Sequence, residues 1–243
     1  MSRSLGQRLA GLAVRSVFGS LIGTEYQEVE RLLACRGKGL IIVANHVTKI
    51  DPFAVALAVH KAGFEVHFLA KDSLFRVPVI GKALLGLNQI PVERRTTGAG
   101  KSLEAAQEAL DAGGAIIIYP EGTLTRDPDL WPMRGHTGAA RLALRTKAPV
   151  LPIAQFGLQE LLAPYGKKLR PFPRKKTTLR VGKTIDLSDL YDQPETRSVL
   201  DAATERIMAA LTAELALIRR SEPPVGRWNP RRNQYEDLHG DKA

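Results

Sequence analysis

Short runs of apolar residues recur along the middle of the chain, and segments with a helical spacing of apolar residues separate several of them. The runs are rich in Ile, Val and Leu, and several end in polar residues or glycine. They predict strands at residues 39–44, 65–70, 88–92, 115–119, 150–155 and 177–181.

The segments between these strands carry helix signals. Asp51 and Pro52 are typical of the N-cap and first position of a helix, which would end before Gly63. Leu103 and Leu110 mark the apolar face of a second helix, which glycines 113 and 114 would end. Alternating strands and helices predict an α/β fold with a mostly parallel central sheet flanked by helices, in which ligands bind beyond the strand ends.

The two ends of the chain differ from this pattern. Residues 1–24 form an amphipathic segment with three arginines and no acid before Thr24, and its apolar face contains Leu5, Leu9, Leu12 and Val17. This pattern is typical of a helix in a membrane interface, and equally of a helix packed on the domain. We predict three parts: this membrane-associating segment, a catalytic or binding domain at 25–220, and a tail at 221–243. The tail is expected to wrap the surface or to be disordered.

The net charge of +10 is concentrated in one stretch. No acid lies between Glu160 and Asp186, and eight cations do: Lys167, Lys168, Arg170, Arg174, Lys175, Lys176, Arg180 and Lys183. The stretch is either a solvated loop or a surface for a polyanion, such as an anionic membrane or a phosphorylated cosubstrate. Nucleic acid is disfavoured as a partner, because aromatics are 6% of the chain and no recognition motif is present.

Composition excludes several other classes. The longest charge-free run has twelve residues, 148–159, which is too short to span a bilayer. A single cysteine cannot form an internal disulfide, and the N-terminus lacks a signal-peptide core, so a cytoplasmic location is expected. The five histidines lack zinc-site spacing, so we expect no metal.

One candidate for chemistry follows the first predicted strand, where His46 and Asp51 flank a loop. A carboxylate one turn away can accept a hydrogen bond from one imidazole nitrogen and raise the basicity of the other. The alternative is that Asp51 only caps its helix. A second polar loop, containing Glu121, Gly122 and Thr123, follows the strand at 115–119. Both loops would share one crevice, where Glu121 can anchor a base or an arginine.

The order and spacing of several short segments resemble the glycerolipid acyltransferase family, most closely the 1-acylglycerol-3-phosphate (lysophosphatidate) acyltransferases, whose four sequence blocks all occur in order. The resemblance covers residues 39–153, about half of the chain. The segments that carry the resemblance are Asn45-His46-Val47-Thr48-Lys49-Ile50-Asp51, Phe68-Leu69-Ala70-Lys71, Pro78 with Gly81, Ile90-Pro91-Val92-Glu93-Arg94, Tyr119-Pro120-Glu121-Gly122-Thr123 and Val150-Leu151-Pro152-Ile153.

The resemblance implies a fold like that of glycerol-3-phosphate acyltransferase and a role for each matching residue. His46 would be the general base and Asp51 would orient it, with no acyl-enzyme. The glycerophosphate site would comprise Arg94, Glu121, Gly122 and Thr123, with Lys71 nearby. The donor would be acyl-CoA or acyl-carrier protein, and the acceptor a lysophospholipid. No cofactor is implied, and the expected location is peripheral, on the cytoplasmic side of the cell membrane.

Two positions depart from the family pattern. Thr48 stands where serine is commonest, and Leu124 stands where many members have arginine; Arg126 is the candidate replacement. The acceptor could therefore also be glycerol-3-phosphate, another lysolipid or a glycolipid. A non-catalytic lipid- or CoA-binding protein is the alternative from another class, and the intact His46 and Asp51 argue against it.

Overall fold

The computed structural model describes residues 19, 21–78, 81–82, 85, 89–92 and 99–237. The strands are β1 Ile22–Gln27, β2 Leu40–Ala44, β3 Val66–Lys71, β4 Ile90–Val92, β5 Ala115–Ile118, β6 Val150–Phe156, β7 Lys175–Val181, β8 Arg227–Asn229 and β9 Gln234–Glu236. The α-helices are α1 Glu30–Leu33, α2 Asp51–Lys61, α3 Asp72–Phe75, α4 Ala99–Asp111, α5 Gly138–Thr146 and α6 Arg197–Arg219. Short 3₁₀ helices lie at Leu158–Glu160 and Ser188–Leu190.

The described residues form a seven-stranded sheet in the order β1-β7-β6-β2-β5-β3-β4. Strands β6, β2, β5, β3 and β4 are parallel, whereas β7 is antiparallel to β6 and carries β1 beside it in the parallel sense. The parallel strands therefore end at one edge of the sheet. The loops that follow β2 and β5, which are neighbours, meet at that edge.

Helices cover both faces of the sheet. Every residue of β2 is buried. Ile41 and Val43 point into a cluster with residues of α4, α5 and α6, while Ile42 and Ala44 point into a cluster with α2. A strand covered on both faces reads as a continuous apolar run, which is why the sequence predicts it so directly. The predicted α/β fold, with a mostly parallel sheet flanked by helices, is confirmed.

The edge strand β1 was not predicted from the sequence. It pairs with β7 in parallel, with Ile22 beside Lys175 and Tyr26 beside Leu179. Most of its residues are only partly buried, so its sequence lacks the continuous apolar run of the central strands. Residues 22–24 of the predicted membrane segment thus belong to the sheet. The apolar residues predicted for its helix, Leu5 to Val17, lie outside the described residues.

The last helix and the tail pack on the domain. The predicted stripe of α6 faces the core, with Leu200, Ile207 and Leu211 buried. Beyond it, β8 and β9 form an antiparallel hairpin, in which buried Arg227 bonds to Glu205 of α6. Up to residue 237 the tail therefore wraps the surface, one of the two predicted alternatives. None of the helices that the structure describes is long and apolar enough to cross a membrane.

Candidate active site

His46 and Asp51 meet in the loop between β2 and α2. The Nδ1 atom of His46 lies 3.1 Å from Oδ2 of Asp51. The same oxygen accepts hydrogen bonds from the backbone amides of Val47, at 2.6 Å, and Thr48, at 2.8 Å. Predicting Asp51 as an N-cap was wrong: it is the first residue of α2, and its carboxylate turns back to the loop. These bonds fold the loop so that the carboxylate faces the ring.

The electrostatics of the pair suit a base. Asp51 is fully buried, and burial raises the pKa of its carboxyl group, against the opposing effect of the hydrogen bonds from His46 and the two amides. The His46 side chain is 18% exposed, so it keeps access to a ligand. A carboxylate beside Nδ1 favours the tautomer protonated there, which leaves the Nε2 lone pair as the acceptor of a proton.

The loop after β5 holds the main chain of His46. Oε1 of Glu121 accepts the His46 backbone N–H at 3.1 Å, and the Thr125 N–H donates to the His46 carbonyl at 2.6 Å. The other oxygen of Glu121 accepts the N–H of Met133 at 3.0 Å. Burial raises the pKa of Glu121 to about 8. Both carboxyl oxygens thus contact backbone donors inside the protein. Glu121 therefore holds the loop of His46, which is one of the roles predicted for it, and its place in the glycerophosphate site stays a prediction.

A tyrosine forms one wall of the site. The rings of His46 and Tyr119 stack with 4.2 Å between centroids and 29° between planes. Tyr119 follows β5 directly, and burial raises the pKa of its hydroxyl well above its usual value, with the nearby Asp51 charge adding to the effect. No individual role is predicted for Tyr119 from the sequence. The sequence feature that could have identified Tyr119 is its place at the end of a buried strand, directly before the second polar loop.

Two further polar residues link the neighbouring strands β2 and β6. The Asn45 side chain accepts the Gln155 N–H at 2.9 Å and donates to the Gln155 carbonyl at 3.0 Å. In return the side-chain amide of Gln155 donates to the backbone carbonyl of Asn45 at 3.2 Å. Both side chains are buried. This exchange fixes the residue before His46, and Gln155 is a site residue that the sequence analysis missed.

The rest of the second loop turns towards the surface. Gly122 has φ of +68°, a region that favours glycine, and its N–H closes a turn onto the Tyr119 carbonyl at 2.9 Å. Thr123 and Arg126 are exposed, whereas Leu124 is 7% exposed. The side chain at position 124 therefore points inward, whereas Arg126 is exposed to solvent.

The side chains of the other two predicted substrate-binding residues, Lys71 and Arg94, are outside the described part of the structure. Lys71 ends β3 beside Val92, but its side chain is outside the described part of the structure. Arg94 also lies outside the described residues. Their assignment to the glycerophosphate site stays a prediction. In the part of the chain that the structure describes, no three His, Cys, Asp or Glu residues are grouped to hold a metal ion.

Comparisons with known proteins agree with this arrangement. The family model described as Acyltransferase matches residues 23–155, more than half of the chain. The chain is 30% identical to a 1-acyl-sn-glycerol-3-phosphate acyltransferase of Bacillus subtilis over 169 residues, which is 70% of this chain and 77% of that protein. It is also 30% identical to a protein of that name from Borreliella burgdorferi over 118 residues, 48% of this chain and 45% of the relative.

A solved structure shares the fold. The crystal structure of the 1-acyl-sn-glycerophosphate (LPA) acyltransferase PlsC from Thermotoga maritima superposes with a TM-score of 0.66 at 18% identity, covering 92% of this chain and 86% of that one. The sequence match, the shared fold and the paired His46 and Asp51 agree. The chain therefore belongs to the acyltransferase family and is an O-acyltransferase.

Proposed function

We propose that the enzyme transfers a fatty acyl chain from an acyl thioester to the free hydroxyl of 1-acylglycerol-3-phosphate, making phosphatidic acid. The observation that carries this proposal is the 3.1 Å contact between His46 Nδ1 and Asp51 Oδ2 in a loop whose backbone is held on both sides. The relatives from Bacillus subtilis and Borreliella burgdorferi, both named for this reaction, support the choice of acceptor.

In this mechanism His46 acts as the general base. Nε2 takes the proton of the acceptor hydroxyl as its oxygen attacks the thioester carbonyl, and Asp51 stabilises the imidazolium that forms. The tetrahedral intermediate then collapses, the carbon–sulfur bond breaks, and the proton on Nε2 passes to the leaving thiolate. The acyl group moves directly from sulfur to oxygen, so no acyl-enzyme and no cofactor are required.

Cations would select the phosphate of the acceptor. A guanidinium supplies a planar fork of donors that matches a phosphate. Arg126 is suited to this role because its side chain is exposed on the loop that holds His46. Its backbone N–H donates to Met133 Sδ at 3.2 Å, which anchors the residue. Arg94 and Lys71 belong to the same proposed site on the strength of the family resemblance.

The proposed donor is acyl-CoA or acyl-carrier protein, and the proposed location is the cytoplasmic side of the cell membrane. Both substrates of the reaction carry a fatty chain, so the enzyme has to work at a lipid surface. The amphipathic pattern of residues 5–17, which combines an apolar face with arginines, supports peripheral attachment.

The test is product identification with the full chain. Purified protein is incubated with labelled palmitoyl-CoA and a panel comprising 1-acylglycerol-3-phosphate, glycerol-3-phosphate, other lysolipids and a glycolipid, with His46→Ala as the control. We expect labelled phosphatidic acid at the highest rate, and a rate about 10²- to 10⁴-fold lower with the control variant. Faster acylation of another acceptor would replace the proposed substrate. Binding of palmitoyl-CoA without transfer to any acceptor would favour a lipid- or CoA-binding protein.

A further inference from the structure

The loop at residues 161–174, between the 3₁₀ helix at Leu158–Glu160 and β7, exposes large apolar side chains. Phe172 is 85% exposed, Leu169 51% and Tyr165 49%. Single exposed apolar residues are ordinary on a soluble protein, but a group of them on one loop marks an interaction site. We call this segment the 161–174 loop.

The same loop is strongly basic. Lys167, Lys168 and Arg170 are exposed within it, and Lys176 follows it at the start of β7. Across the described residues none of these four cations forms an ion pair, in contrast to Arg180 further along β7, which pairs with Glu214. Unneutralised cations mixed with apolar groups match the chemistry of an anionic lipid surface, where charge meets headgroups and apolar groups meet acyl chains.

Backbone contacts hold the 161–174 loop in shape. Leu162 and Leu169 form an antiparallel bridge, and the Arg170 N–H donates to the Leu161 carbonyl at 2.8 Å. Leu161 and Leu162 are buried at its base. The fold therefore presents Phe172 and Leu169 outward from a paired, anchored segment.

Three side-chain hydrogen bonds place the loop beside the active site and beside the start of the described chain. The Tyr165 hydroxyl donates to the Leu124 carbonyl at 2.8 Å, next to Thr125, which bonds the backbone of His46. The Arg174 guanidinium donates to the carbonyls of Gly19, at 2.7 Å, and Ile22, at 3.2 Å. The loop thus contacts the first described residues of the chain, at Gly19 and Ile22.

We propose that the 161–174 loop docks on an anionic bilayer, with Phe172 and Leu169 inserted among the lipids and the lysines at the headgroups. Docking there brings the loop that holds His46 to the lipid surface, where an acceptor would be taken up without leaving the membrane. The inference rests on the proposed function only for the identity of the lipid acceptor. The docking surface itself is tested without catalysis.

The first experiment measures binding to vesicles. The full chain and the double variant Phe172→Ser/Leu169→Ser are floated with vesicles of phosphatidylcholine containing phosphatidylglycerol. We expect binding to weaken by about 10- to 100-fold, because two apolar side chains lose their burial. The matched control is Val225→Ser, which removes an apolar side chain that is 89% exposed in the tail and should leave binding unchanged. Circular dichroism melting checks that each variant is folded.

A second experiment locates the inserted residue directly, whatever residues 1–18 contribute. The variants Phe172→Trp and Val225→Trp are mixed with vesicles carrying brominated acyl chains, and tryptophan emission is recorded. Native Trp131 and Trp228 are buried and give a constant background. We expect a blue shift and quenching for Trp introduced at 172 and neither at 225. An unquenched tryptophan at 172 on protein that is bound to vesicles would overturn the proposal.

The charge contribution is tested within the same basic stretch. Lys168→Gln should weaken binding to the anionic vesicles about fivefold. Lys183→Gln removes another exposed lysine, beyond the opposite end of β7, and should change binding little. If the two variants lose the same affinity, a general attraction of the basic protein explains binding and the specific surface is refuted.

Activity separates this inference from the proposed function. The Phe172→Ser/Leu169→Ser variant should lose acyl transfer to vesicle-embedded acceptor and keep it towards a water-soluble, short-chain acceptor. Equal loss on both acceptors would place the loop in the reaction itself and contradict docking. Weakened binding of an acidic acyl-carrier protein with unchanged vesicle binding would assign the loop to the donor. If no acceptor is acylated by wild type, the proposed function fails while the vesicle results still stand.

Discussion

The buried carboxylate of Glu121 holds the main chain of His46 and not its ring, through the 3.1 Å bond from the His46 N–H to Oε1. Its second oxygen accepts the Met133 N–H, so one side chain joins the loop after β2 to the loop after β5. Thr125 completes the connection at the His46 carbonyl. The direction in which the base points is thus set by a neighbouring strand's loop.

Replacing Glu121 should therefore damage both stability and catalysis. In Glu121→Gln one oxygen is replaced by an amide NH₂, which faces a backbone N–H where an acceptor is needed. We expect the free energy of unfolding to fall by about 1–3 kcal/mol, the cost of a buried unsatisfied group, and turnover to fall with it. Urea denaturation and acyl-transfer assays measure the two effects. The control is Glu104→Gln, which changes an exposed glutamate of helix α4. Unchanged stability and turnover would remove the positioning role.

The pKa of Glu121 predicts a pH dependence of stability. Its pKa is about 8 in the folded protein, against 4.5 for an ordinary glutamate. Between these two pH values the folded state binds the Glu121 proton more tightly than the unfolded state does. The contribution of Glu121 to the free energy of unfolding therefore falls as pH rises from about 4.5 to about 8, and then levels off. The difference in unfolding free energy between wild type and Glu121→Gln should therefore narrow over that range. A difference that widens with pH would contradict the raised pKa.

The proposed catalytic pair, His46 and Asp51, gives the largest expected effect on turnover. His46→Ala should reduce kcat by about 10²- to 10⁴-fold with the fold retained, because the proton acceptor is lost. Asp51→Asn keeps an oxygen for the amides of Val47 and Thr48 but removes the charge that stabilises the imidazolium, and should cost about 10²-fold or more. His60→Gln, on the exposed side of α2, serves as control. Near wild-type turnover of His46→Ala would refute the assignment.

The link between Asn45 and Gln155 predicts unequal effects of two substitutions. Asn45→Asp keeps the acceptor for the Gln155 N–H but loses the donor to the Gln155 carbonyl, and places a charge in a buried site. Gln155→Leu removes a single bond of 3.2 Å. We expect the first to destabilise the protein by about 1–3 kcal/mol or more and the second by less, in chemical denaturation. The reverse order would show that the Gln155 side chain, and not Asn45, carries the link.

Phosphate recognition predicts a change in KM. Arg126→Ala should raise the KM for a phosphorylated acceptor about tenfold, the loss of one charge-assisted contact, with a smaller change for the acyl donor. Arg94→Ala is expected to act in the same way. Arg197→Ala, which removes an exposed arginine at the start of α6, is the control. If wild type acylates phosphorylated and unphosphorylated acceptors equally well, neither arginine recognises the phosphate.

The sequence by itself determined the central sheet and the proximity of His46 and Asp51. β2, β5 and β6 are buried on both faces, so their apolar runs are continuous and identify them without knowledge of their partners. His46 and Asp51 are only five positions apart in the sequence, so their contact can be predicted from local spacing. The family resemblance and the acyltransferase class followed from these blocks.

Other features depended on contacts between residues far apart in the chain. β1 is a half-buried edge strand whose place is set by β7, about 150 residues later, and its own residues carry little signal. The bonds of Glu121 to the backbone of His46, and of Gln155 to Asn45, cross 75 and 110 residues. Spacing along a chain shows which polar groups lie at strand ends. Only the tertiary structure decides whether such a group faces a substrate or satisfies a buried backbone donor, because that depends on which strands are neighbours.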